Sequence, residues 1–405
     1  MGVVTGAVVF GPDGTTRPVP GHRALQPVAE GELVELIYDY GPGLVPAPGE
    51  VGSMWRYRAL LPLDRGPIAY PLPVGGTPLL APPGLRRALG APNLHLKDES
   101  RGPSGSNKDR ATALVLEHGL RAGVETVSCA STGNVAVSLA LGAAAAGLRA
   151  VIFVPAGVEE SKLRLMLLAG ATVVRVDRGY GAAFELSRRA AREFGWLDRN
   201  TGLNPLTLEA KKTVAFEIWE QLGRRPPDVV LAPVGDGPTL WALARGFREL
   251  RACGATSRLP RLIGVQAAGC QPVKVAFETG TPVKPVEPHT VADGIAVGRP
   301  VAGARVVEEV RASAGGLVAV EDREMLEAID LLARRGGVIA EPAGAAALAG
   351  LIRAREQGLV GREEVAVVLV TGTGLKTPRL LPASGAAIDV QGSLEEVAGR
   401  LGPSA

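Results

Sequence analysis

The chain has 405 residues, of which 46% are hydrophobic, 21% charged and 4% aromatic. Lysine and arginine total 44 against 41 acidic residues, a net charge of +3, which gives no electrostatic footprint for nucleic acid and no polybasic membrane patch. The length exceeds what one hydrophobic core usually organises, so two domains are expected.

Cys129, Cys253 and Cys270 lie too far apart for a disulfide framework or a zinc site. Met1–Phe10 lacks the basic start of a secretory signal, and Val135–Leu148 is too short to span a bilayer. The expectation is a reduced, soluble, cytoplasmic protein with no membrane partner.

Residues 1–90 are rich in Pro and Gly and read as irregular, with one strand-like run, Leu33–Tyr38. Beyond about 93, apolar strands alternate with helices. Strands are expected at 126–130, 150–155, 171–176, 228–233, 262–267, 317–320 and 365–371. Helices are expected at 134–148 and 159–169, with others between the later strands. This alternation indicates βαβ units, hence an α/β fold with parallel-rich sheets covered by helices on both faces. Such sheets bind ligands at the carboxyl ends of their strands, where four segments stand out.

The first is Lys97-Asp-Glu-Ser followed by Pro103-Ser-Gly-Ser-Asn-Lys108. A lysine at a helix start lies near the positive dipole end, which lowers its pKa and favours the nucleophilic amine, although a solvated loop lysine is the simpler reading of this segment alone. The second, Ser131-Thr132-Gly133-Asn134, opens an Ala-rich helix and offers amides and hydroxyls suited to a carboxylate, although ordinary helix capping explains it equally well. The third, Gly235-Asp236-Gly237-Pro238-Thr239, has the small residues that let backbone amides approach a phosphate, yet a plain tight turn is the simpler reading. The fourth is Thr371-Gly-Thr-Gly374, itself also readable as a turn. His22, His95, His118 and His289 are scattered without metal-ligand spacing, and no metal is expected.

Taken together and in order, these segments resemble the fold-type II pyridoxal-phosphate (PLP) enzymes, and within them the threonine synthase branch. The resemblance spans about 33–378. It includes Met54-Trp-Arg-Tyr-Arg, Gly76-Thr-Pro-Leu, Leu96-Lys-Asp-Glu, Gly105-Ser-Asn-Lys-Asp-Arg and Asn204-Pro, and continues through Gly246-Phe-Arg-Glu-Leu, Glu341-Pro-Ala and Thr371-Gly-Thr-Gly-Leu-Lys. It implies a two-domain architecture: a metal-free N-terminal segment (1–90), a discontinuous PLP-binding domain (91–120 and 205–378), an inserted small α/β domain (121–204) and a tail (379–405). A homodimer is implied as well.

The resemblance further implies that Lys108 carries PLP as a Schiff base and serves as the general base. Asn134 would bond the ring's phenolic oxygen, and Gly235, Asp236, Gly237, Pro238 and Thr239 would form the phosphate loop. Thr371 would face the pyridine nitrogen; a neutral hydroxyl there limits carbanion delocalisation and favours elimination over transamination. Ser131, Thr132 and Gly133 would hold the carboxylate of a small amino-acid substrate. Lys162, Thr207 and Lys211 would line its distal end.

Departures from the branch bear on the substrate. Thr207 stands where threonine synthases usually place an Arg suited to the phosphate of O-phosphohomoserine, and Lys211 offers a point charge nearby. Asp236 puts a carboxylate beside a phosphate site, a repulsion of roughly 4 kcal/mol at 4 Å and a dielectric of 20. It must therefore point away, be protonated or meet a cation. Pro238 removes one amide donor. Asn107 replaces the usual Phe before the lysine, and Ala292-Asp-Gly-Ile-Ala-Val297 resembles serine/threonine dehydratases more closely. The implied activity is PLP-dependent elimination or replacement on a small α-amino acid with a leaving group, with threonine synthase the nearest named reaction. β-Elimination or β-replacement on serine, threonine or an activated serine is the alternative, and a non-catalytic homologue the third reading.

Overall fold

The computed structural model describes residues 4–401 except 12–13, 26–27, 29–30, 65, 202–203 and 383–386. The N-terminal part is more regular than its Pro and Gly content implies. Strands β1 (Val4–Phe10), β2 (Thr16–Pro20) and β3 (Leu33–Tyr38) form an antiparallel sheet in the order β2-β1-β3. Gly6, a residue that reads as a strand breaker, sits where the register with β3 shifts, and a Cβ there would lie 2.9 Å from the Val19 carbonyl. Glycine in a strand here marks an irregularity and a close backbone approach rather than a loop.

β4 (Leu79–Leu80) and β5 (Leu94–Asp98) begin a second sheet. The chain then leaves to build β6 (Thr126–Ala130), β7 (Arg149–Pro155), β8 (Thr172–Val176) and β9 (Leu197–Asp198), a fully parallel sheet in the order β8-β7-β6-β9. It returns for β10 (Val229–Pro233), β11 (Arg261–Ala267), β12 (Gly316–Val320) and β13 (Ala366–Val370). The larger sheet runs β12-β11-β10-β13-β5-β4, parallel except for β4 at its edge.

Alternate residues of each strand feed opposite cores, as the two-residue strand period requires. Val229 and Leu231 pack with the helix Pro342–Glu356 on one face, while Val230 and Ala232 pack with Thr213–Gln221 and Pro238–Ala252 on the other. In the smaller sheet Ile152 and Val154 face the helices Lys108–Arg121 and Asn134–Ala145, and Val151 and Phe153 face Gly179–Phe194. The α/β architecture expected from the alternation is the observed one.

The N-terminal sheet is tied down by polar contacts. Tyr38 Oη donates to Glu209 at 2.6 Å and Trp241 Nε1 to Glu35 at 3.0 Å. Lys97, in a segment that reads as a strand end, is fully buried in β5 and bonds Glu217 at 2.7 Å. Among the described residues no helix is long and apolar enough to cross a membrane, and no group of three or more His, Cys, Asp and Glu could hold a metal ion.

Candidate active site

Four strand ends meet here. After β13 the Thr371 carbonyl accepts the Asn107 N–H at 2.9 Å, and Ser106 bridges Gly372. This pins the loop before Lys108, the first residue of the helix Lys108–Arg121. Ser104 fastens the same loop by donating its N–H (2.9 Å) and hydroxyl (2.5 Å) to Asp109 in the first helical turn. Below, the Arg110 guanidinium spans Glu99 and Glu217 at 2.7 and 2.6 Å.

Lys108 Nζ donates to Asn107 Oδ1 at 2.8 Å. Its pKa is lowered to about 8, chiefly by burial. The amines and guanidinium of Lys376 and Arg199 add to that lowering, while Glu341 and Asp236 oppose it. The sequence reading credits the helix start; desolvation is the larger cause.

Beyond β6, Gly133 N–H meets Ser131 Oγ at 3.2 Å, and Asn134 starts the next helix. Asn134 Nδ2 donates to Glu341 Oε1 at 2.6 Å, while Asn134 Oδ1 and Glu341 Oε2 are buried without a partner. Burial pushes the Glu341 carboxyl up, against the pull of Lys376. A Cβ on Gly372 would collide with Glu341, so the Thr371 strand end lies against the same pair. The Thr371 hydroxyl makes no hydrogen bond among the described residues.

The Gly235–Thr239 turn follows β10 and opens the helix Pro238–Ala252. A Cβ on Gly235 would lie 3.0 Å from the Gly294 carbonyl. Gly237 adopts φ +96°, and a Cβ there would meet Val306 at 2.9 Å. The outward first-turn amides of this helix form a cradle for an anion. Thr239 Oγ1 receives Asn107 Nδ2 at 3.4 Å, linking the cradle to the lysine loop. Asp236 is held between opposing influences. Burial raises its carboxyl, which accepts the Val301 N–H, and Lys211 and Lys108 pull it back as cations.

The residues expected at the distal end differ in their surroundings. Lys162, 1% exposed, is ion-paired with Asp293 of the Ala292–Val297 segment and lies 3.9 Å from Glu159. Thr207 Oγ1 donates to the Asn204 carbonyl at 2.8 Å. Lys211 is buried with no hydrogen bond among the described residues. Three neighbours had no role in the sequence reading: Glu341, Asp293 and Arg199. Glu341-Pro at a helix start and Asp293-Gly were visible as motif letters. Arg199, after a two-residue strand, carries no local signal.

The model of the "Pyridoxal-phosphate dependent enzyme" family matches residues 70–372. The chain belongs to this family. It is 37% identical over 353 residues to a threonine synthase of Methanosarcina acetivorans, covering 86% of each chain. A threonine synthase of Mycobacterium tuberculosis is 38% identical over 334 residues, covering 82% of this chain and 90% of that one. Among solved structures, a fungal L-serine ammonia-lyase from Rhizomucor miehei superposes with TM-score 0.63 at 25% identity, covering 73% of this chain and 93% of that one. A maize serine racemase, at TM-score 0.64 and 21% identity over 75% and 90%, shares the fold.

The chain is thus a PLP-dependent lyase of fold type II, threonine synthase-like in sequence. Its residues fit the cofactor. Lys108 presents an amine of lowered pKa, Asn134 offers an unsatisfied buried amide oxygen and a second Nδ2 hydrogen, and the Gly235–Thr239 turn forms a cradle too tight for side chains.

Proposed function

We propose that Lys108 is the cofactor-bearing lysine and general base of an enzyme that eliminates or replaces a leaving group on a small α-amino acid. The observation that carries this reading is the Lys108 amine, lowered to about 8 beside Asn134, Glu341 and the Gly235 cradle. Bound PLP supplies an electron sink for loss of the substrate's α-proton. Gly235, Gly237 and Thr239 would hold its phosphate, with Asp236 and Pro238 in the same turn; Asn134 would bond the ring's oxygen, and Thr371 would offer its neutral hydroxyl to the ring nitrogen. Ser131, Thr132 and Gly133 would orient the substrate carboxylate. Lys108 would then take the proton from Cα, and the leaving group would depart with its bonding pair.

The named reaction to test first is that of the threonine synthase relatives. PLP-loaded protein mixed with O-phosphohomoserine is assayed for inorganic phosphate and threonine, and both at a catalytic rate establish it. A specific observation favours the second reading, β-elimination or β-replacement on serine, threonine or an activated serine. Lys162 is already neutralised by Asp293, and the Thr207 hydroxyl is spent on Asn204. Oxoacid release from serine or threonine, with no phosphate from O-phosphohomoserine, would select it. A non-catalytic homologue would show no visible cofactor absorption after PLP addition. We also infer a cytoplasmic homodimer whose small domain (121–204) is inserted in the large one; the mass in solution tests the dimer.

A further inference from the structure

Among the described residues, two buried basic side chains beside Lys108, Arg199 and Lys211, are without an ion-paired carboxylate. Arg199, fully buried after β9, donates Nε to Thr112 Oγ1 at 3.2 Å, one terminal nitrogen to Thr201 Oγ1 at 3.1 Å and the other to the Lys108 carbonyl at 3.4 Å. All three acceptors are neutral, and the guanidinium has five N–H groups to place. Lys211 ends the helix Leu206–Lys211, which packs against Lys108–Arg121; it is 3% exposed and makes no hydrogen bond or ion pair among the described residues.

The other buried basic side chains, Lys376 apart, are arranged differently. Lys97, Arg110, Lys162, Lys212 and Arg245 each meet a carboxylate, and Lys376 meets two carbonyls. A buried cation without a counter-charge is strongly unfavourable, so such a pair is kept where a ligand supplies the charge. Burial pushes the Lys211 amine well below its usual value; the Lys108 amine and the Arg199 guanidinium push the same way, and the Asp236 carboxylate opposes them. Lys211 comes from its own helix, Arg199 from the smaller sheet and Asp236 from the turn after β10, so three separate elements converge beside the lysine.

We infer that Arg199 and Lys211 form an oxyanion subsite beside Lys108 that takes the distal charged group of the substrate, and that Asp236 tunes it to a singly charged carboxylate or sulfonate over a dianionic phosphate. This rests on the reading of Lys108 as the reacting lysine. A bound anion supplies the counter-charge that Arg199 lacks and favours protonation of Lys211, whereas a second negative charge on the ligand meets the Asp236 carboxyl group. Thr207, which lacks the Arg fork suited to phosphate, is consistent with that selection.

The test titrates PLP-loaded protein calorimetrically with methanesulfonate and with sulfate at constant ionic strength. Methanesulfonate should bind more tightly. Lys211→Met and Arg199→Met should each weaken it at least about tenfold, and Asp236→Asn should raise sulfate affinity about tenfold. If Arg199→Met does not fold, Lys211→Met decides.

Preference for sulfate in the parent chain overturns the proposal, as does methanesulfonate binding unchanged by Lys211→Met. Release of PLP by Lys211→Met with anion binding intact assigns the cation to the cofactor instead, and also overturns it. The titration reads no turnover, so an inert protein that still selects methanesulfonate refutes the elimination reading and leaves the subsite standing.

Discussion

Asn134 and Glu341, 207 positions apart, share a hydrogen bond of 2.6 Å that joins the start of a small-sheet helix to the start of a large-sheet helix. The amide is thereby held in one orientation, with its oxygen and the second carboxylate oxygen buried and unpaired. Glu341 thus acts on the site through Asn134. Removing one partner of a buried hydrogen bond costs about 1–3 kcal/mol, which is roughly tenfold or more in a rate. Glu341→Ala should lower kcat by about that factor and shift the visible absorption of the bound cofactor. Glu341→Gln, which retains an acceptor, should recover most of both. An alanine variant with the parent's absorption and kcat would show that the pair is only a structural tie.

Lys108→Ala should abolish turnover and the visible cofactor absorption together, and retained turnover would sink the assignment of this lysine. The parent chain also makes a pH prediction. An amine titrating at about 8 is mostly free base above that pH, unlike an ordinary lysine near 10.4. Capture of PLP by cofactor-free protein should accelerate with rising pH and level off above about 8. Acceleration that continues to pH 10 would contradict the lowered value.

Gly237→Ala tests the cradle. The left-handed φ of +96° and the 2.9 Å approach to Val306 leave no room for a Cβ. The strain should cost about 1–3 kcal/mol, visible as a lower melting temperature and weaker PLP retention. A variant with unchanged PLP affinity would remove this turn from the cofactor site.

The ion cluster beneath Lys108 sets an acid limit. Arg110 and Lys97 outweigh the burial that would push Glu217 up, and hold its carboxyl at about 2. A depressed carboxylate contributes stability that is complete above its unfolded pKa, about 4.3, and is lost as pH falls through about 2. Glu217→Gln, which leaves Arg110 and Lys97 short of a counter-charge, should destabilise by about 3–5 kcal/mol at neutral pH. The variant's melting temperature should therefore fall less steeply between pH 5 and about pH 2 than the parent's. Parallel pH profiles would show that Glu217 does not carry the linkage.

The α/β class and the positions of most parallel strands were legible because side-chain period and helix-opening residues are local properties. So was the placement of Lys108 at a helix start and of Gly235 and Gly237 in a strand-to-helix turn. Local reading failed where local signals conflict. Residues 1–90 read as irregular apart from Leu33–Tyr38, yet Val4–Phe10 and Thr16–Pro20 join that run in a sheet, and the glutamate that neutralises Lys97 lies 120 positions away, beyond any local signal.

Tertiary structure alone decided which charges are spent. Lys162 meets Asp293 across 131 positions, whereas Lys211 and Arg199 meet no carboxylate. As bare letters these four cations, Lys97 included, are equivalent. Their difference arises only when strand ends distant in sequence are packed together and water is excluded, so that each buried charge must find a counter-charge or keep a place for one.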